Sequence, residues 1–547
     1  MTARSATRRH GAGLRGLVAD AGSRLFDRPR LLALLLGAVA ACGFEPLRLW
    51  PLTLLAVALL IEAIAQAGTA RRALVTGWLF GVGHFTVGNT WIATAFTYQA
   101  NMPAWLGWIA VVLLSLYLAV WPALAAAGAW LAARKAGAVL VPAFAALWIV
   151  TEWMRAWVFT GFAWNPLGIA LLGHFEGQGL AFLTPWIGTY GLSGVAVLLA
   201  GGLWRIGFLR IGKARTRRAW IAGGALASGI AALMLLPSHW LPQRQGTLPF
   251  TLVQPDIRQE SLDDPAQFAA QFFKTARLSK PFSLGRTRLV LWPESGVPFY
   301  LATGYPRHYY LASDYEADPV VVRRRIGEEV GPGSLLLTGA VDLVMRQGQP
   351  FAARNVITAV GADGGIAGSY AKAHLVPYGE YLPLRWLLEP LGATRLVPGT
   401  LDFQPGPGPR TLDFGPWGKA GMQICYEIVF SGEVVDPAHR PDYIFNPSND
   451  GWFGAWGPPQ HLAQARLRAI EEGLPVLRAT TTGISAVIDA DGIVRRHVAR
   501  HVAGRLDGLV PPAHEPTLFS RFGNALPLAL AALLLALSLV ASRRSRG

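Results

Sequence analysis

Residues 288–294 read Arg-Leu-Val-Leu-Trp-Pro-Glu, and residues 421–427 read Gly-Met-Gln-Ile-Cys-Tyr-Glu. Each is an apolar run of strand length that leads into a reactive side chain, Glu294 in the first and Cys425 in the second. Pro293 has no N–H for a further ladder bond, so the first strand must stop at its carboxylate. Between the two, residues 370–380 (Tyr-Ala-Lys-Ala-His-Leu-Val-Pro-Tyr-Gly-Glu) set Lys372 and Glu380 in a loop containing Pro377 and Gly379. Similar β-rich runs lie at 250–254, 334–339, 355–360, 443–446, 476–480 and 486–489. Residues 460–472 instead place Leu462, Ala463, Arg466, Leu467 and Ile470 at helical spacing. The pattern predicts layered α and β elements in one domain covering 241–518, with no run able to span a bilayer.

The flanks are of a different kind. Of 547 residues, 52% are hydrophobic and only 15% charged, the balance of a membrane protein. Stretches of about 20 apolar residues, enough to cross a bilayer, lie near 30–48, 50–67, 73–97, 105–133, 137–157, 179–204, 219–237 and 522–541. The division predicted is a basic segment at 1–29, seven transmembrane helices within 30–240, the α/β domain, and an eighth helix with a basic tail at 519–547. The net charge of +16 sits largely in arginine tracts beside these apolar runs. That pattern indicates lipid headgroups and the positive-inside bias, and no nucleic acid partner is expected. Every second loop is basic: Arg71 and Arg72, then Arg134 and Lys135, then 210–218 and the tail. Both termini therefore belong in the cytoplasm, and 241–518 on the outer, periplasmic side.

The two cysteines, Cys42 in an apolar run and Cys425 in the polar domain, offer no disulfide framework. Val39-Ala-Ala-Cys42 has the form of a lipoprotein processing site, yet apolar sequence resumes after Pro46, as for a residue in helix packing. An unpaired thiol facing an oxidising compartment calls for a chemical reason. Cysteine chemistry needs a proton acceptor and donors for the oxyanion of a tetrahedral intermediate. Glu294 can take the proton, Lys372 can hold the oxyanion, and the backbone N–H of Tyr426 is the natural second donor. A carboxylate able to do this must be partly withdrawn from water, so a desolvated site is expected. His374 and His461 have no partners at metal-ligand spacing, and neither a metal nor a cofactor is expected.

These residues resemble the carbon-nitrogen hydrolase, or nitrilase, superfamily with its Glu-Lys-Cys triad. More closely, they resemble its membrane-embedded branch, the apolipoprotein N-acyltransferase family. The resemblance rests on Trp292-Pro-Glu-Ser295, on 372–383, on Cys425-Tyr-Glu427, on Asn446-Pro-Ser-Asn-Asp-Gly-Trp-Phe-Gly454 and on 151–164. It implies an αββα sandwich outside the membrane and Glu294, Lys372 and Cys425 as catalytic residues. It also implies transfer of the sn-1 acyl chain of a phospholipid, through a thioester on Cys425, to the α-amino group of a diacylglyceryl-cysteine apolipoprotein. Glu380, Glu427, Tyr426 and Asn355 are then supporting residues, Arg155, Trp157 and Trp386 membrane-side candidates, and 382–398 a candidate lid. A monomer is expected. Two positions depart from the family pattern: Leu262-Asp-Asp264 replaces a Lys-Trp pair, and Thr481 stands where asparagine is common. The same triad would also serve a membrane-tethered amidase that passes the acyl group to water.

Overall fold

The structure, a computed structural model, describes residues 28–544 apart from 99–102, 135, 208–215, 238–244, 282–286, 312–316 and 392–400. Each of the eight apolar stretches contains a helix. Among the described residues five helices are long and apolar enough to cross a membrane: Leu106–Ala133, Gly137–Arg155, Leu180–Arg205, Arg217–Leu235 and Ala525–Arg543. Pro29–Ala41 and Trp50–Ala65 are apolar but shorter, and Ala70–Gly88 opens on Arg71 and Arg72. Three of the predicted helices are interrupted. The third ends at Gly88 before a short turn of helix at Ile92–Ala95, the fourth is divided at Ala119, and the sixth carries Gly188 at φ 67°. A Cβ at Gly188 would lie 2.4 Å from the Phe519 ring, so the glycine serves both the kink and the close approach.

Among its described residues the α/β domain contains twelve strands: β1 Pro249–Gln254, β2 Arg288–Leu291, β3 Ser334–Arg346, β4 Gln349–Gly361, β5 Ile366–Ala371, β6 Thr411–Asp413, β7 Lys419–Met422, β8 Tyr443–Ser448, β9 Val476–Thr480, β10 Ser485–Ile488, β11 Val494–Val498 and β12 Gly504–Leu509. They form two six-stranded sheets, ordered β12-β1-β2-β3-β4-β5 and β11-β10-β9-β8-β7-β6. Strand alternation builds the layers. Leu289, Leu291, Leu335 and Leu337 join Met422, Tyr443 and Phe445 of the other sheet in one core. Val290, Trp292 and Leu336 point the other way, onto Phe272, Ala276, Val322 and Ile326 of helices Phe268–Ser279 and Pro319–Val330.

The layer behind the second sheet is helix Gly457–Glu472, buried at every residue but Pro459. Leu462, Ala465 and Ala469 belong to the sheet-sandwich core, whereas Ala463, Leu467 and Ile470 belong to the core of the apolar helices. One helix thus joins the two domains, and several of its polar residues bond across the junction. Arg466 donates to the carbonyls of Gly173 and Gly177, each at 2.9 Å, His174 at 2.6 Å and Gly492 at 2.8 Å. Gln460 accepts from the Trp164 indole at 2.8 Å and donates to the carbonyl of Glu45 at 3.0 Å. Glu471 accepts from the N–H of Thr189 at 2.5 Å and the Ser431 hydroxyl at 2.9 Å.

Candidate active site

Glu294, Lys372 and Cys425 lie just beyond strand ends rather than on them. β2 stops at Leu291 and β7 at Met422, while Lys372 directly follows β5. Cys425 opens the 3₁₀ turn Cys425–Val429 with φ 51°, left-handed backbone that is rare for a residue with a side chain. Such strain is held only where the surroundings determine it, and here they do. The Cys425 carbonyl accepts from His461 Nε2 at 3.0 Å and Asn446 Nδ2 at 3.5 Å. Glu427, two residues on, accepts four bonds. One comes from the N–H of Ile424 at 2.7 Å and three from the Lys372 segment: the Tyr370 hydroxyl at 2.8 Å and the N–H groups of Ala373 and His374 at 2.7 and 3.1 Å. This one carboxylate ties the thiol's turn to the lysine's loop.

Lys372 is only 1% exposed. Its Nζ lies 3.0 Å from both oxygens of Glu380 and 3.7 Å from Glu294 Oε1. Burial alone would depress the ammonium, but the carboxylates of Glu380 and Glu294 outweigh it and hold Lys372 above the ordinary lysine range. Asn355, on β4, bridges the carboxylates by donating to Glu294 at 2.7 Å and Glu380 at 3.0 Å. The other Glu294 oxygen accepts from the N–H of Asn449 at 2.7 Å. Glu294 is thereby fixed on both oxygens and buried. Thr481 donates to the Asn449 side chain at 2.8 Å, so this departure from the family pattern supports the segment that holds Glu294. Burial, then the charge of Glu294, raise the Cys425 thiol well above its usual range, and Lys372 offsets only part of this. Burial therefore favours the neutral thiol over the thiolate.

Burial pushes Glu427 up to about 7 from its ordinary 4.5, with the Ile424, Tyr370 and His374 donors and the Lys372 charge opposing the rise. Because the folded-state value is the higher one, Glu427 contributes stability fully below pH 4.5. That contribution declines as the unfolded chain sheds its proton first, and it is lost as pH rises through about 7. The thermal midpoint of wild type, measured against Glu427→Gln, is expected to fall between pH 5 and pH 8; a pH-independent gap would contradict this.

The membrane-side candidates separate. Arg155 is 2% exposed, donates to the Trp164 carbonyl at 2.9 Å and lies over the Phe85 ring, so it does not snorkel to an interface. Trp157 is 49% exposed and Trp386 76% exposed, the latter between exposed Leu384 and Leu387. The far part of the expected lid, 392–398, lies outside the described residues. Tyr426 is buried, with its ring stacked on Trp164.

Reasoning from sequence missed a second polar cluster beneath the thiol. Arg478 Nη2 contacts both oxygens of Asp450 at 2.8 Å, and His461 Nδ1 lies 3.0 Å from each of these residues. The available signal was Arg478 itself, a charge in the middle of an apolar strand, which has to be paired when buried.

Two sheets with helices outside them, a buried Glu-Lys-Cys set beyond their strand ends and apolar helices alongside define a membrane-associated protein of carbon-nitrogen hydrolase type. The carbon-nitrogen hydrolase family model matches residues 251–500. The model of the apolipoprotein N-acyltransferase N-terminal domain matches residues 36–202. The apolipoprotein N-acyltransferase of Rhodopseudomonas palustris is 34% identical over 94% of this chain and 95% of its own length. That of Bradyrhizobium diazoefficiens is 35% identical over the same shares, and that of Caulobacter vibrioides 34% identical over 93% and 94%. The chain belongs to the apolipoprotein N-acyltransferase family.

Proposed function

We propose that the chain moves the sn-1 acyl chain of a phospholipid to the α-amino group of the N-terminal diacylglyceryl-cysteine of apolipoproteins, in two steps through Cys425. The Cys425 sulfur attacks the ester carbonyl while its proton passes to Glu294. The carbon–oxygen bond then breaks, and lysophospholipid leaves with that proton. In the second step the amine attacks the thioester, gives a proton to Glu294 and displaces the sulfur, which recovers it. Lys372 Nζ and the N–H of Tyr426 hold the oxyanion in both steps. Glu380 and Asn355 keep Lys372 and Glu294 in register, and Glu427 holds the nucleophile's turn.

The observation that carries this reading is the position of the thiol. Cys425 is held through His461 by helix Gly457–Glu472, whose other face packs on the apolar helices. A site so placed meets a lipid ester without removing the lipid fully from the bilayer. Residues 30–240 and 519–547 form the membrane domain, with both termini in the cytoplasm. Residues 241–518 form the catalytic domain on the periplasmic side of the inner membrane, and the protein acts as a monomer without a cofactor. Exposed Trp157 and Trp386 meet lipid, and Arg155 shapes the route inward.

Purified protein incubated with phospholipid and a diacylglyceryl-cysteine peptide is expected to yield N-acylated peptide and lysophospholipid in equal amounts. Cys425→Ser is expected to yield neither. Release of free fatty acid without peptide acylation would instead indicate a hydrolase.

A further inference from the structure

The buried cluster under the nucleophile acts on one backbone carbonyl. His461 is fully buried, and its Nε2 faces the carbonyl oxygen of Cys425 at 3.0 Å. A carbonyl can only accept, so Nε2 carries the proton. With the proton on Nε2, Nδ1 accepts from Arg478 Nη2 at 3.0 Å, and Asp450, both of whose oxygens lie 2.8 Å from that Nη2, holds the arginine in place. Arg478 also donates to Ser448 at 2.9 Å and to the Asn446 side chain, whose own amide reaches the same Cys425 carbonyl. Gly483 packs closely against Asp450: a Cβ there would lie 2.3 Å from its Oδ2.

The atoms of a peptide unit are coplanar, and in the trans form C=O and N–H point in opposite directions. Whatever fixes the Cys425 carbonyl therefore aims the Tyr426 N–H. That N–H opens a helical turn, where the first N–H groups have no intrahelical acceptor. We infer that His461, braced by Asp450 and Arg478, is a positioning residue that turns the Cys425–Tyr426 peptide so that the Tyr426 N–H meets the oxyanion. This rests on the reading of Cys425 as the nucleophile.

The test compares two reactions of the same sulfur in the full-length protein. With p-nitrophenyl butyrate, the sulfur–acyl bond forms, the thiol proton goes to Glu294, p-nitrophenolate leaves and an oxyanion develops on the way. With iodoacetamide, the sulfur displaces iodide from carbon, the proton is lost and no oxyanion arises. His461→Ala is expected to lower kcat for acylation roughly 100-fold, the order seen on losing an oxyanion donor. KM and the rate of alkylation should each change less than about twofold. His461→Gln, which keeps an amide donor near the Nε2 position, is expected to recover acylation to within roughly tenfold of wild type. The proposal is overturned if acylation survives in His461→Ala, if alkylation falls in parallel with it, or if Gln does no better than Ala. A wild type that iodoacetamide labels at Cys425 but the ester does not acylate would overturn the nucleophile reading, and this proposal with it.

Discussion

Lys372→Met is expected to reduce acyl transfer at least about 1,000-fold, measured as lysophospholipid release at saturating phospholipid. Two losses combine. The substitution removes the only ammonium in the Glu294–Glu380–Asn355 set, and with it one of the two oxyanion donors, itself a matter of roughly 100- to 1,000-fold. It also leaves two buried carboxylates facing one another without a cation, so one takes up a proton. If that proton settles on Glu294, the base is lost as well. Lys372→Arg is expected to restore little, because a planar fork does not replace a point charge seated 3.0 Å from both oxygens of Glu380. Transfer by Lys372→Met within about tenfold of wild type would exclude Lys372 from the reaction.

Arg466→Met is expected to destabilise the protein by roughly 3 kcal/mol or more, since each buried acceptor left unpaired costs about 1–3 kcal/mol. Methionine replaces the side chain's apolar stem but none of the donors now serving Gly173, His174, Gly177 and Gly492. Three of these carbonyls lie in the segment that follows the fifth apolar helix, and the fourth lies in the β10–β11 turn. The damage therefore falls on the junction between the domains. Thermal unfolding in detergent should show a clearly lowered midpoint, with the catalytic domain becoming protease-sensitive. An unchanged midpoint would mean that the helix is not fixed to the bundle through this arginine.

The eight strands expected from sequence all exist, and the four that were missed share a position. β5, β6, β11 and β12 are the outermost strands of the two sheets. Edge strands face water on one side and carry polar or small residues, as in Val494-Arg-Arg-His-Val498 and Ile366-Ala-Gly-Ser-Tyr-Ala371, so their alternation is weak. Glu294 and Cys425 stood out as candidates because each is a reactive group just past an abrupt end of an apolar run, and Lys372 because it sits in a stiff loop with Pro377 and Gly379. Asp450, His461 and Arg478 did not. They come from a turn, a helix and a strand, and only folding joins them. Helix Gly457–Glu472 showed its helical period but not its two buried faces, because its arginines and glutamates suggest a solvated side. The breaks at Asn89, Ala119 and Gly188 were hidden inside apolar runs, where hydropathy continues across a kink.

The account turns on an acyl chain carried by Cys425, and intact-mass analysis of the purified protein after incubation with a single phospholipid of defined acyl chains tests this directly. Without an acceptor peptide, wild type should gain the mass of the sn-1 acyl group at Cys425. The adduct should be released by hydroxylamine and should vanish when diacylglyceryl-cysteine peptide is added. A protein that N-acylates the peptide while no adduct forms, or a Cys425→Ala variant that gains the same adduct, would contradict it.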